Sequence, residues 1–269
     1  FKYENAEAPS SELETTALLF AGQEGLDDAF LQYLRMLGEI LKPHIKGFLI
    51  DPDFYEDYSV FVTDKMDAAL DPVVLLIGER VNVCSQMRED ILKNSLQYTT
   101  DDLVVLSYDG AFICDPASPN DVIDLIEFAN VQVLELRYYD RELARQIEKM
   151  YDDIEESDRL SPFFRSRKYH AIMAKQMESH AEISEVIEKV NNLLKVTEDV
   201  YYARVYAMVL KVLRSSQWSE SVSRKIEVIQ ENYSMLSDEV RIQHSNSLEW
   251  IIIILIALEF GLAIWQNFT

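Results

Sequence analysis

Glycine is scarce in this chain: seven among 269 residues, under half the ~7% typical of proteins. Neither G-x-G-x-x-G nor G-K-[ST] occurs, which removes the usual glycine-rich phosphate cradles. Cysteine is scarcer still. Cys84 and Cys114 sit in unrelated strand-like runs and read as buried free thiols in a reducing compartment, not as a disulfide or metal pair. The four histidines, His44, His170, His180 and His244, are scattered, with no H-E-x-x-H and no cysteine close in sequence. G-x-S-x-G is missing. Positive charge is in deficit: 25 Lys and Arg face 47 Asp and Glu, a net charge of −22. That balance argues against direct contact with a nucleic-acid backbone, which rests on cationic side chains. No nucleophile, base and oxyanion site come together, so the chain reads as a non-enzyme with no cofactor and no metal site.

What is present is apolar and lopsided. Hydrophobic residues make up 48%, too many for a disordered acidic tail. Residues 1–130 carry 25 acidic and 8 basic side chains, a net of −17, and the remainder carries 22 and 17, a net of −5. Such asymmetry predicts two bodies in different surroundings. The sequence opens on Phe1 and not on Met, so it is expected to be trimmed or incomplete at that end.

The fold class expected is α+β. An acidic mixed α/β domain (1–116) leads through a helical connector (117–160) to a helical hairpin stalk (161–247) and a membrane anchor (248–268). In the first domain, strands are predicted over 15–20, 47–50, 58–63 and 72–83 from runs of apolar and β-branched residues. Helical spacing predicts a helix over 26–41, closed by Pro43. Leu103–Ser107 and Ala111–Cys114 flank Tyr108-Asp109-Gly110, a hairpin turn. Ser118-Pro119-Asn120-Asp121 then opens a helix running, with or without a break, to Glu156. The carboxylate pairs Asp51/Asp53, Glu56/Asp57 and Asp101/Asp102 read as solvated loops, since none has the calcium-loop spacing.

Val222, Ile226, Ile229, Tyr233, Leu236 and Val240 recur at 4-3-4-3-4, an unbroken a/d seam. Ile183, Ile187, Val190, Leu194, Thr197 and Tyr201 share the rhythm, and Val205, Met208 and Val212 continue it after a stutter. Residues 214–219 read as the joint, so the two arms are expected to fold back antiparallel in a coiled-coil-like hairpin. On the connector, Arg137, Tyr138, Tyr139 and Asp140 form a motif that reads as a structural lock, with a partner site as the alternative. Arg137 and Asp140, three apart on a helix, are placed to pair.

The run Leu248–Phe268 would span about 30 Å as a helix, the thickness of a bilayer core. Trp250 and Trp265 bracket it as interface markers, Glu259 interrupts it near the middle, and Ala257 with Gly261 forms a small-x-x-x-small pair for close helix approach. A single-pass C-terminal anchor follows, with Glu259 either hydrogen-bonded inside an assembly of anchors or a lone carboxyl, protonated or drawn toward the headgroups, without function.

Residues 129–140 (ANVQVLELRYYD) and 248–259 (LEWIIIILIALE) resemble the required-for-meiotic-nuclear-division family, as do 95–105 (SLQYTTDDLVV) and 199–206 (DVYYARVY). The resemblance implies an integral membrane protein of the bacterial or mitochondrial inner membrane that self-associates and organises translation-related assemblies. It carries no catalytic residues. The function expected is a non-catalytic homo-oligomeric scaffold or tether whose partners are further copies of itself, the lipid bilayer and a basic protein. Two other readings stay open: an ion- or proton-conducting oligomer lined by Glu259, and a membrane-tethered metal-dependent hydrolase.

Overall fold

A computed structural model of the chain describes residues 9–21, 26–45, 51, 54–67, 70–117, 119–158, 169 and 198–268. The chain divides into two units, residues 1–135 with 189–216, and residues 136–188 with 217–269. The first is a mixed α/β unit. Its elements are α1 (Ser10–Ala21), α2 (Leu26–Leu41), β1 (Ser59–Thr63), α3 (Pro72–Ile77), α4 (Ser85–Leu92), β2 (Ser95–Leu96), β3 (Leu103–Leu106), β4 (Gly110–Cys114), the start of α5 (Pro119–Asp158) and α6 (Val200–Val212). The rest of α5 and nearly all of α7 (Ser215–Phe268) belong to the second.

The four strands are ordered β1-β4-β3-β2, with β1 parallel to β4 and the other pairs antiparallel. The hairpin read from Tyr108-Asp109-Gly110 is β3–β4. Both strands are buried on both faces, which is why they read as continuous apolar runs and not as alternation. One face gathers Val105, Phe112 and Cys114 with Leu70, Leu75 and Ala17, and Leu13, Phe61 and Leu103 pack at its margin. On the other side, α6 packs beside β3 and contributes the buried Val205, Tyr206, Val209 and Leu210. Gly110 is required by the parallel pairing, because a Cβ there would stand 2.8 Å from the Ser59 carbonyl oxygen.

Two segments expected as strands are helices. Leu13 and Ala17 of α1, four apart, meet the same cluster, a spacing invisible within the window 15–20. At 72–77, Asp71 accepts a hydrogen bond from the Val73 N–H, Pro72 occupies the first turn, and Gly78 closes the helix at φ 73°. These cap signals outrank the β-branched composition. The segment 47–50 and the cap at Ser118 lie outside the described residues. The helix α5 runs unbroken to Asp158.

Asp71 also receives Arg88 in a two-pronged ion pair at 3.1 and 2.5 Å. Hydrogen bonding from Arg88, reinforced by the N–H groups of Val73 and Val74, outweighs partial burial and holds the Asp71 carboxyl below its usual range. A lowered folded-state value means that the stabilisation is complete above the ordinary aspartate pKa of about 3.9 and fades as pH falls through the folded value. Both side chains are about a third exposed or more, so its size is discounted for solvent screening. Asp71→Asn is therefore expected to lower urea stability by roughly 1 kcal/mol at neutral pH, with the gap closing in strong acid.

In the second unit the seam of the expected hairpin has a neighbour that the sequence did not suggest. Val222, Ile226 and Ile229 do form a buried seam, but they pack on Leu143, Tyr139 and Ile147 of α5. Further along, Leu236 meets Tyr169 and Ile154. Trp218 pairs with Arg137, Lys225 with Asp140 and Leu236 with Ile154, so contacts advance in the same direction on both helices. The pair α5–α7 is parallel. A seam shows which face is buried and not what buries it. The upstream arm 183–197 lies outside the described residues, as do the side chains of Tyr233 and Val240. The expected joint is also tighter: α6 ends at Val212, Leu213 and Arg214 connect, and Arg214 takes φ 57° before α7 opens at Ser215.

The transmembrane helix is corrected too. Among the described residues no helix is long and apolar enough to cross a membrane. The apolar run is the end of α7, whose earlier turns are amphipathic. The single-pass anchor and the bacterial or mitochondrial inner-membrane location fall with it.

Candidate functional site

In the mixed α/β unit, two local devices aim tyrosines at one place. The buried Asp102 carboxylate accepts the N–H groups of Tyr98 at 2.9 Å and Thr99 at 2.7 Å, while Gln97 Nε2 donates to the Asp102 carbonyl at 3.0 Å. This winds the loop between β2 and β3 around an aspartate and leaves Tyr98 74% exposed. Asp199 caps α6 by accepting the N–H groups of Tyr201 at 2.7 Å and Tyr202 at 3.2 Å. The cap fixes where the first-turn tyrosines point. The Tyr98 and Tyr201 ring centroids lie 5.2 Å apart, and those of Tyr201 and Tyr202 5.6 Å apart.

Carboxylates surround this aromatic ladder. The Tyr202 hydroxyl donates to Asp121 Oδ2 at 3.0 Å, from the first turn of α5. Burial first, then Asp102, Asp115 and Tyr202, pushes the Tyr201 phenol up to about 12. Burial, then the hydrogen bond to Asp121 and the charges of Asp121, Asp115 and Asp199, raises Tyr202. The buried Cys114 thiol is raised by burial and then by Asp64, Asp115, Asp102 and Asp101. The local field is negative. Phenols and a thiol held protonated at neutral pH are poor bases and nucleophiles. Neighbouring rings tilted at 48° and 54° in a negative field instead suit a cation that can lie on an aromatic face.

The residues expected from sequence fall elsewhere. Arg137, Tyr138, Tyr139 and Asp140 are on α5 in the other unit. Asp140 Oδ1 accepts Ser221 Oγ at 2.6 Å and Lys225 Nζ at 2.5 Å, and Lys225 also donates to the Asp140 carbonyl at 2.9 Å. The Arg137 guanidinium lies 5.7 Å from the Trp218 ring centroid, and Tyr138 meets Tyr139 edge-on at 5.6 Å. The motif thus clasps α5 to α7. Trp250, Ala257 and Glu259 are exposed on the end of α7, while Gly261 and Trp265 lie beyond the residues whose side chains are described. Asp102 joins the tyrosine ladder, and Asp53, His170 and His180 are outside the described residues. Sequence reasoning missed Tyr98, Tyr201 and Tyr202 as a group. The Asp199 cap ahead of two tyrosines was visible in the sequence, but the approach of Tyr98 was not.

A family model for the N-terminal domain of uncharacterized protein MJ0711 matches residues 1–120. Uncharacterized protein MJ0711 of Methanocaldococcus jannaschii is 30% identical over 252 residues, which cover 91% of this chain and 74% of that protein. No solved structure matches. These matches overturn the resemblance to the required-for-meiotic-nuclear-division family, to which nothing in them points. The segment 248–259 that carried much of that resemblance is an Ile/Leu-rich helix end, a composition that unrelated helices share.

Proposed function

The chain belongs to the family of the uncharacterised archaeal protein MJ0711, and we propose that it is a non-catalytic scaffold whose acidic α/β unit holds a basic protein partner. The observation that carries this reading is the Tyr98–Tyr201–Tyr202 ladder set among Asp102, Asp115, Asp121 and Asp199. The −17 of residues 1–130 supports it, since a strong negative field steers cationic partners and speeds their encounter. Arginine fits the ladder better than lysine, because its planar guanidinium stacks on a ring while its donors reach carboxylates. Copies gathered together would multiply such weak contacts by avidity.

An oligoarginine peptide titrated against the full chain, followed by fluorescence anisotropy, tests the reading. Tyr98→Ala leaves the net charge unchanged and removes a largely exposed ring, so no buried core residue is lost. It is expected to weaken binding about fivefold, the ~1 kcal/mol of an exposed cation–π contact. Added salt weakens wild-type binding, and an oligolysine peptide of equal length binds less tightly. Equal affinity for wild type and Tyr98→Ala would mean that net charge alone attracts the peptide, and the ladder would lose its role.

A further inference from the structure

We infer that the joint between α6 and α7 is a conformational switch: a break, latched by the Arg214 guanidinium on the Tyr108 ring, in a segment that local sequence would run on as one helix. Arg214 takes φ 57° and is the only non-glycine residue at positive φ among the described residues. The left-handed region disfavours a residue with a Cβ by roughly tenfold in population. Helices that end there ordinarily place glycine or asparagine at that position.

Local sequence opposes the break. Leu213 and Arg214 are among the stronger helix formers, and no Gly or Pro occurs between Val200 and Phe260. Nor does Arg214, immediately before Ser215, offer a capping oxygen to the opening turn of α7. Leu213 stands at φ −74°, ψ 1°, close to helical, so one residue changing basin would join the two helices. A single residue held against its local preference marks a strained or functional place.

Two contacts hold the break. Leu213 is buried, with its N–H bonded to the Val209 carbonyl at 2.9 Å. The Arg214 guanidinium carbon lies 5.7 Å from the ring centroid of Tyr108, in the turn between β3 and β4. That turn is itself pinned. The Ser107 N–H donates to the Gly110 carbonyl at 2.7 Å, the Tyr58 hydroxyl to the Ser107 carbonyl at 3.1 Å, and the Ser59 N–H to the Asp109 carbonyl at 3.1 Å. The latch is open to water, since Tyr108 is 37% exposed and Arg214 is exposed. An exposed cation–π contact shifts an equilibrium only a few fold, which is the scale of the strain it opposes. Near balance between two packings is what a switch requires. This inference does not depend on the peptide site, and either can fail alone.

The test is the distance between spin labels at Arg204→Cys and Glu227→Cys, both exposed, in the full chain carrying Cys84→Ser; Cys114 is buried and shielded from the label. In one continuous helix these positions would stand about 35 Å apart at ~1.5 Å per residue, and any break brings them closer. Wild type is expected below that distance. Arg214→Ala removes the latch and leaves a strong helix former, and Tyr108→Ala removes it without touching the joint. Each is expected to raise the fraction near 35 Å about fivefold. Arg214→Gly loses the same contact, but glycine accepts positive φ and resists the helix, so it is expected to keep the short distance. Labels at the wild-type distance in both alanine variants overturn the inference, as does a long distance as abundant in Arg214→Gly as in Arg214→Ala. Alanine variants that lose helical circular dichroism without lengthening overturn it too, because the joint would then be a fold contact and not a switch.

Discussion

Asp140→Ala is expected to destabilise the α5–α7 pair by roughly 3 kcal/mol, the lower end of the cost of removing one partner from a buried ion pair. The Asp140 and Lys225 side chains are 18% and 25% exposed, so the pair sits between surface and core. Removing the carboxylate leaves the Lys225 ammonium with the Asp140 carbonyl alone and takes the acceptor from Ser221. Lys225→Met is milder, about 1 kcal/mol, because Ser221 still donates to Asp140. In the double variant Asp140→Leu/Lys225→Met, most of the loss is expected back, since a packed apolar pair replaces a desolvated one. Urea unfolding followed by tryptophan fluorescence reads this directly, because Trp218 lies under Arg137 in the same clasp. If Asp140→Ala unfolds at the wild-type midpoint, the clasp does not hold the helices.

That clasp shows what the sequence could and could not disclose. The helix 26–41 and the hairpin at Tyr108-Asp109-Gly110 were legible because their signals are local: a 3.6-residue apolar rhythm ending before Pro43, and a turn dipeptide between β-branched runs. The helix α3 was also legible in principle, from Asp71-Pro72 at one end and Gly78 at the other, yet two valines and an isoleucine drew the reading toward a strand. The seam 222–236 was seen correctly as buried. Its neighbour was assigned by proximity in sequence, and the structure supplied α5, remote along the chain and running parallel. Arg137 and Asp140 were expected to pair with each other, and Asp140 is instead taken up by Lys225.

The tyrosine site follows the same rule. Asp102 and Asp199 make hydrogen bonds to amides two to four residues away, and such short-range capping is written in residue order. The contact between Tyr98 and Tyr201 depends on where α6 lies against β3, which periodicity does not encode. At the end of α7, the reverse error occurred. Hydropathy of the run alone suggested a spanning helix, whereas no helix among the described residues is long and apolar enough to cross a membrane, and the run is the end of a longer helix whose earlier turns are amphipathic.

Phe112→Ala is expected to have the largest effect in the α/β unit, a loss of about 4 kcal/mol from transfer and cavity terms together. Phe112 is fully buried at the middle of β4, opposite Val105 on β3 and Phe61 on β1, and it packs in the cluster of Leu70, Leu75 and Ala17. Neighbours on both flanking strands are pinned by backbone pairing, so the cavity cannot collapse fully. Gly110→Ala provides the contrast. It removes no packing, yet its methyl would meet the Ser59 carbonyl at 2.8 Å, and the cost of about 2 kcal/mol falls on the β1–β4 pairing alone. Amide hydrogen exchange separates the two. Phe112→Ala should speed exchange throughout Val104–Leu106 and Ala111–Cys114, since the shared core opens together. Gly110→Ala should speed exchange in Ser59–Thr63 while β3 stays protected. Uniform acceleration by Gly110→Ala would show that β1 is integral to the core and not an edge strand added to a stable hairpin.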